Sequence, residues 1–308
     1  MSTTRRVKLS PPTSPGESLA NALARLRSLV DARLAVLVGA GDDGEPVKAA
    51  MHLAATSPGK RLRPALTLLV VEAFGGAAAD HVDAACTVEL VHASSLVLDD
   101  LPCMDDADER RGRPALHRQC GEAVAVLAAF ALLARAQALL PGALAAARVA
   151  PAHRSAFASR LAGVVEAMCR GQALDLELPR TADLALLERV HSQKTGALFE
   201  LAAELGAVVA GVSGDRLEAL LSYARNLGLA FQVTDDLLDV TGDAAALGKP
   251  IGRDGALGRA TFVSVFGVEG AASLRDELLD VASRALAPLG PRTALLRELT
   301  DHVRHRTA

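Results

Sequence analysis

The sequence predicts an all-helical protein, on three observations. Half of its 308 residues are apolar, mostly Ala, Leu and Val, with one Tyr, no Trp and seven Phe. Sequence rich in Ala and Leu favours helix over sheet. Apolar residues recur at helical spacing, as in Leu19, Leu23, Leu26 and Val30, and no segment alternates as a strand would. Pro and Gly punctuate between the apolar stretches, at Pro141-Gly142, Pro179 and Gly211. No fixed-period repeat is present and nothing reads as an interdomain linker, so a single domain over residues 16–308 is expected.

Taken in order, residues 1–15 carry Pro11, Pro12 and Pro15 among Ser and Thr and read as a disordered leader. Arg5, Arg6 and Lys8 make it mildly basic, but it lacks the apolar region of a signal peptide. A first helix is expected from Glu17 to Gly39, then a turn at Gly41-Asp42-Asp43-Gly44 and a short helix over Lys48 to Ala55. Ser57 to Pro64 is a basic loop, and Pro64 suits the first turn of the helix that the apolar run Ala65 to Phe74 continues. Helices are then expected over 80–101, 120–139, 151–173, 183–210 and 214–240. Residues 242–258 hold five glycines and one proline, too many for a helix, and read as a long functional loop. Two further helices are expected over 260–289 and 291–305.

Composition narrows the class. A net charge of −3 argues against a general nucleic-acid binder and does not suggest a membrane-surface protein. Cys86, Cys103, Cys120 and Cys169 show no CxxC spacing, which suits reduced thiols in the cytoplasm better than a disulfide framework or a zinc site. The longest uncharged runs, such as Ala123 to Ala134, fall short of the roughly 18 residues a membrane span needs, so no span is expected.

Two acidic clusters carry the chemistry. Asp99 to Gly112 packs five aspartates and one glutamate directly before Arg110 and Arg111. Like charges this close raise one another's pKa, and a divalent cation is the usual compensation. Oxygen ligands that leave room for water and a phosphate oxygen suit Mg²⁺. A solvated acidic turn is the bland alternative, which a second cluster, Asp235, Asp236 and Asp239, weakens. Asp235 and Asp239 share a helix face one turn apart, whereas Asp236 points about 100° away. Pro102 should end or kink the preceding helix near Leu101, freeing Asp105 to turn back toward Asp99. Asp106 and Asp108 have weaker claims on a metal. Arg110 and Arg111 either neutralise the acids or reach a ligand phosphate. Lys60 and Arg63 form either a solvated basic turn or an anion site at a helix start. With Lys194-Thr195-Gly196 and Lys249, basic groups stand in four places against two acidic clusters, which suits two diphosphates, one held through Mg²⁺ and one held directly.

The combination resembles the trans-prenyltransferases, the short-chain polyprenyl diphosphate synthases of the isoprenoid synthase fold. It rests on Gly59-Lys60-Arg61-Leu62-Arg63-Pro64; on Asp99, Asp100 and Asp105 with Arg110-Arg111-Gly112; and on Gly171-Gln172 and Lys194-Thr195. Phe231-Gln232 with Asp235, Asp236 and Asp239, and Leu247-Gly248-Lys249 with Gly252 and Asp254, complete it. It covers the chain from about residue 50 onward. The run Leu98 to Ala107, with Arg113-Pro114 and His117, is most similar to bacterial carotenoid-pathway geranylgeranyl diphosphate synthases.

The resemblance implies a single helical bundle around a deep central cavity, and family partners and cofactors follow as expectations: three Mg²⁺, isopentenyl diphosphate, an allylic diphosphate, and a second copy of the chain in a homodimer. It implies that Asp99, Asp105, Asp235 and Asp239 or Asp100 touch metal. Arg110, Lys194 and Lys249 would hold the allylic diphosphate, and Lys60, Arg63, His92 and Arg111 the isopentenyl diphosphate. Thr195 and Gln232 would line the reacting centre. Arg259 stands where the family often has Lys, exchanging a point charge for a planar fork. Ser94 and Ser95 stand where farnesyl diphosphate synthases commonly carry an aromatic residue. Small residues there leave depth for a longer chain, which favours geranylgeranyl over farnesyl diphosphate. A class I terpene cyclase is disfavoured by the second aspartate cluster and by Lys60 and Arg63. A non-catalytic partner subunit is disfavoured because both clusters are intact.

Overall fold

A computed structural model of the chain describes residues 16–41, 44–179, 181–242 and 260–306. The leader, the glycine-rich loop with Lys249, and Arg259 lie outside the described residues. The all-α class holds. The long helices are α1 (Leu19–Val38), α3 (Leu62–Ala73), α4 (Val82–Asp99), α6 (Glu122–Ala146), α7 (Pro151–Leu176), α9 (Ala197–Val209), α10 (Asp215–Thr241) and α11 (Phe262–Ala285). Shorter ones are α2 (Pro46–Ala55), α5 (Leu116–Cys120), α8 (Leu184–His191) and α12 (Ala294–Arg304).

Their starts follow local chemistry. Ser18 and Asp183 cap α1 and α8 through their side chains, and Thr261 and Ser264 form a reciprocal capping box on α11. Pro46 and Pro151 stand at the first turns of α2 and α7, where the missing N–H costs nothing. The middle of α4, from Ala84 to Val91, is buried on every side, as is α3 from Pro64 to Val71. Helices buried all round belong to a core, and their polar members are paired there, Glu89 with Arg61 and Thr67 with the Ala202 carbonyl. The main apolar cluster joins α1, α2, α3, α4, α6, α7, α9, α10, α12 and the second half of α11, and a smaller one joins α8, α10 and the first half of α11. α10 and α11 contribute to both, and α10 carries the second acidic cluster.

The boundaries differ from expectation in three places. α6 runs through Pro141 to Ala146 where Pro141-Gly142 was expected to stop it. Pro141 is on the exposed side, and the carbonyl it leaves unpaired, that of Gln137, belongs to an exposed residue that water can satisfy. The expected helix 183–210 is interrupted by a π turn, Ser192–Gly196. The expected helix 260–289 bends at Gly267, whose φ of 70° breaks the helical geometry. A two-stranded ribbon, Glu109–Arg110 with Arg113–Pro114, lies in the first acidic stretch, where no strand was expected. By length and composition α6 is apolar enough to cross a bilayer, despite Arg135, although its uncharged runs are short. In this fold it packs along α4 and α2 and leaves Leu127 and Phe130 exposed.

Candidate active site

The first acidic stretch begins where α4 stops. Pro102 cannot donate to the Leu98 carbonyl, which accepts from the Leu101 amide at 3.2 Å instead. The chain then folds back: Asp105 N–H donates to the Asp99 carbonyl at 3.0 Å and Ala107 N–H to that of Asp100 at 3.1 Å. This is the return of Asp105 toward Asp99 that Pro102 predicts. The ribbon follows, turned by Arg111 and Gly112 at φ 55° and 72°, the left-handed pair a tight hairpin requires. It aims Arg110 back at the helix end, where the guanidinium binds both oxygens of buried Asp100. Asp106 and Asp108 meet Arg118 in an exposed ion pair, consistent with their weaker claim on a metal. Burial pushes the Asp99 carboxyl up to about 6, Asp105 and Asp100 adding to the shift and Lys194 and Arg110 opposing it.

The second cluster rides on α10. Asp235 and Asp239 are one turn apart, and Asp239 is buried. Asp236 faces elsewhere, as its helical phase predicts. Its oxygens accept from Phe262 N–H and from Gln232 Nε2, each at 2.9 Å, so it fastens the start of α11. Gln232 in turn accepts from the Thr195 hydroxyl at 3.0 Å. Thr195 and Lys194 lie on the π turn, whose extra residue leaves backbone groups out of helical register. Lys194 Nζ is bound by Asp175 of α7 at 2.6 Å. α7 reaches the turn because it carries Gly171 there: a Cβ at that position would come within 2.4 Å of the Lys194 nitrogen.

The basic loop before α3 depends on Arg61, which adopts a left-handed φ of 52°. Its buried guanidinium binds Glu89 at 2.6 Å, Asp31 at 2.7 Å, and the carbonyls of Ala55 and Ser57. With Arg61 occupied as an anchor, Arg63 is presented beside His92, at 3.3 Å. Arg63 Nε is buried and has no hydrogen-bond partner in the protein. The Arg63 pKa is lowered to about 10, chiefly by burial, with Glu89 and Asp235 opposing the shift and Arg111 and Arg306 adding to it. Burial, then Arg63 and Arg111, hold the His92 imidazole neutral, well below its usual pKa. The Arg111 guanidinium lies against Gly59, where a Cβ would come within 2.5 Å of it, and burial lowers its pKa too. Crowded cations with a buried unpaired donor form a site for an anion.

The structure thus brings Arg63, His92 and Arg111 together, and Lys194, Thr195 and Gln232 together. Arg110 sits on Asp100. Ser94 is buried between α4 and α6, donating to the Ala129 carbonyl at 2.8 Å, and Ser95 donates to the His92 carbonyl at 2.9 Å. Among the described residues, no three of Asp, Glu, His and Cys converge closely enough to hold an ion by themselves. The all-oxygen donor set, with Asp99 pushed toward protonation beside other acids, fits a hard divalent cation completed by ligand oxygens and water. Sequence reasoning quoted Arg61 in the basic loop without a role, and missed Asp175 and Arg306, which binds Asp235 at 2.7 Å. Asp175 was within reach, since it lies one helical turn beyond Gly171. Arg306 carries no local signal.

The chain is similar in sequence and fold to known proteins. The polyprenyl synthetase family profile matches residues 45–287. The chain is 43% identical over 266 residues to the farnesyl diphosphate synthase of Escherichia coli K12, covering 84% of this chain and 88% of that one. It is 38% identical over 266 residues to the mitochondrial geranylgeranyl pyrophosphate synthase 10 of Arabidopsis thaliana, covering 84% of this chain and 77% of that one. The crystal structure of geranylgeranyl pyrophosphate synthetase from Pyrococcus horikoshii superposes with a TM-score of 0.83 at 28% identity, covering 93% of this chain and 99% of that one.

Proposed function

Because the chain belongs to the polyprenyl synthetase family and is a prenyltransferase that makes prenyl diphosphates, we propose that it condenses isopentenyl diphosphate with allylic diphosphates and carries the product to geranylgeranyl diphosphate. The observation that carries this reading is the contrast between two neighbouring sites. Arg63 and Arg111 crowd around a neutral His92, with a buried N–H still to be satisfied, and suit a diphosphate held directly. Asp99, Asp105, Asp235 and Asp239 suit a diphosphate held through Mg²⁺.

In this reading Lys60, Arg63, His92 and Arg111 hold isopentenyl diphosphate. Arg110, Lys194 and Lys249 grip the allylic diphosphate. Bound Mg²⁺, three ions with Asp100 a further candidate ligand, supplies neutralisation of the charge that develops on the leaving pyrophosphate. Asp175 fixes the Lys194 ammonium, and the chain from Thr195 through Gln232 and Asp236 to Phe262 fixes the groups beside the reacting carbon. The allylic cation is attacked by the isopentenyl double bond, and loss of a proton completes the addition. The small Ser94 and Ser95 favour the longer product. The farnesyl product is the second reading, favoured by the identity to the Escherichia coli enzyme.

The reading extends to a homodimer in the cytoplasm serving carotenoid synthesis. Four free thiols accord with a reducing compartment, and the exposed Leu127 and Phe130 on α6 offer an apolar face to a second copy. The test is the purified chain with Mg²⁺, isopentenyl diphosphate and dimethylallyl, geranyl or farnesyl diphosphate in turn. Pyrophosphate release with geranylgeranyl diphosphate as the longest product is expected. No release with any allylic partner would favour a non-catalytic partner subunit instead.

A further inference from the structure

We propose that Arg306 is an internal counter-cation for Asp235, seated so that it competes with a divalent metal for that carboxylate and sets the metal affinity of the second acidic cluster. The proposal rests on the metal reading above. Arg306 Nη1 lies 2.7 Å from Asp235 Oδ1, across 71 residues of sequence. The pair is partly shielded, the Arg306 side chain being 13% exposed and the Asp235 side chain 30%.

The guanidinium is not draped there loosely. Its carbon stands 4.6 Å over the Phe231 ring, Phe231 packs 5.2 Å from Phe199, and the Arg63 guanidinium stands 4.5 Å over Phe199. The result is a cation, ring, ring, cation stack running from the basic loop to the end of the chain, each contact favourable through the ring quadrupole. The helix that delivers Arg306 is held at several points. Leu296, Leu299 and Val303 of α12 are buried, Glu298 accepts from Leu19 N–H at 3.0 Å, and Tyr223 donates to the Leu296 carbonyl at 2.8 Å. Arg304 reaches Asp280 at 2.6 Å and Asp276 at 3.3 Å.

A metal arriving at Asp235 meets a guanidinium already bound to one carboxylate oxygen. Either the ion pair opens, forfeiting a charge-assisted hydrogen bond, or two cations share one carboxylate in a partly shielded place. Both cost metal affinity. Linkage makes the cost reciprocal, so metal at Asp235 weakens the seating of Arg306 by the same factor. A purely structural role, tying down the chain end, predicts altered stability and unaltered metal binding.

The test is Mn²⁺ titration of the full chain by electron paramagnetic resonance, with Mn²⁺ alone and with Mn²⁺ plus inorganic pyrophosphate. Arg306→Gln, Arg306→Lys and Asp235→Asn are compared with the unmodified chain, and melting curves establish that each is folded. Arg306→Gln is expected to bind Mn²⁺ on the order of tenfold more tightly, Arg306→Lys to fall near the unmodified chain, and Asp235→Asn to lose the gain when combined with Arg306→Gln. Affinity unchanged within about twofold for Arg306→Gln, while Asp235→Asn weakens binding, overturns the counter-cation role alone. Indifference of Mn²⁺ binding to Asp235→Asn overturns the metal reading together with it. If Arg306→Gln does not fold, Arg306→Ala in the same titration decides by the same criteria.

Discussion

At neutral pH and without metal, the Asp99 carboxylate is ionised in surroundings that oppose its charge. Its pKa stands at about 6, against 3.8 unperturbed, because burial penalises the anion. The folded state therefore holds this proton more tightly than the unfolded state does. The stabilisation is complete below about 3.8 and is lost as pH rises through about 6. Asp99→Asn is thus expected to raise the melting temperature of the metal-free protein above pH 6, with the gain vanishing toward pH 4, while prenyl transfer is lost. Melting curves in chelator across that range check it, and a pH-independent gain would contradict the burial argument. The same proton competes with metal, so Mg²⁺ affinity should fall below pH 6. Ser94 offers a second test. Ser94→Phe removes the hydrogen bond to Ala129 and thrusts a ring between α4 and α6, so the product should shorten, read by chromatography; unchanged length would place the ruler elsewhere. At this scale much was legible. Pro102 has one consequence for a helix, and the phase of Asp236 follows from helical geometry alone. Arg306 was not legible, because nothing within ten residues of it hints that it reaches α10.

Among the elements, the π turn between α8 and α9 and the glycine face of α7 act together. Lys194 and Thr195 hold their positions because α7 approaches their backbone at Gly171 and returns Asp175 to the ammonium. Gly171→Ala has no room without moving the Lys194 nitrogen, which would otherwise be 2.4 Å away. The variant is expected to keep its helix content and to lose one to two orders of magnitude in kcat, with a smaller change in the KM for isopentenyl diphosphate, since about 1 Å of misplacement can cost on the order of a hundredfold. A fall in helix content matching the fall in kcat would point instead to unfolding, which removes active enzyme and leaves KM unchanged. Sequence reading found the helices here and missed the turn, because a single extra residue barely disturbs the apolar period. It also stopped α6 at Pro141, where a proline with its orphan carbonyl toward water is tolerated. The ribbon was invisible for a different reason, since strands of two residues carry no alternation.

For the whole molecule, the open question of assembly lies on α6. Leu127 is 55% exposed and Phe130 is 64% exposed, one helical turn apart on a helix otherwise packed along α4 and α2. Large apolar side chains grouped on one face mark a contact surface. Replacing both by Glu is expected to convert a dimer to monomer in light scattering at micromolar concentration while circular dichroism stays helical. A chain that is monomeric before the substitution would refute the reading. The bundle itself was readable from composition and period. The way α10 serves two apolar clusters was not, because it depends on which helices the connections bring back together.

Tyr223 gives this architecture an optical handle. The chain has one tyrosine and no tryptophan. That tyrosine is fully buried on α10 and donates to the Leu296 carbonyl of α12. All intrinsic phenol emission, and most of the near-ultraviolet dichroism, therefore originates at one joint, the one that holds the C-terminal helix against the helix bearing Asp235. Whether that joint keeps its packing when ligand binds can be read there in real time without a label.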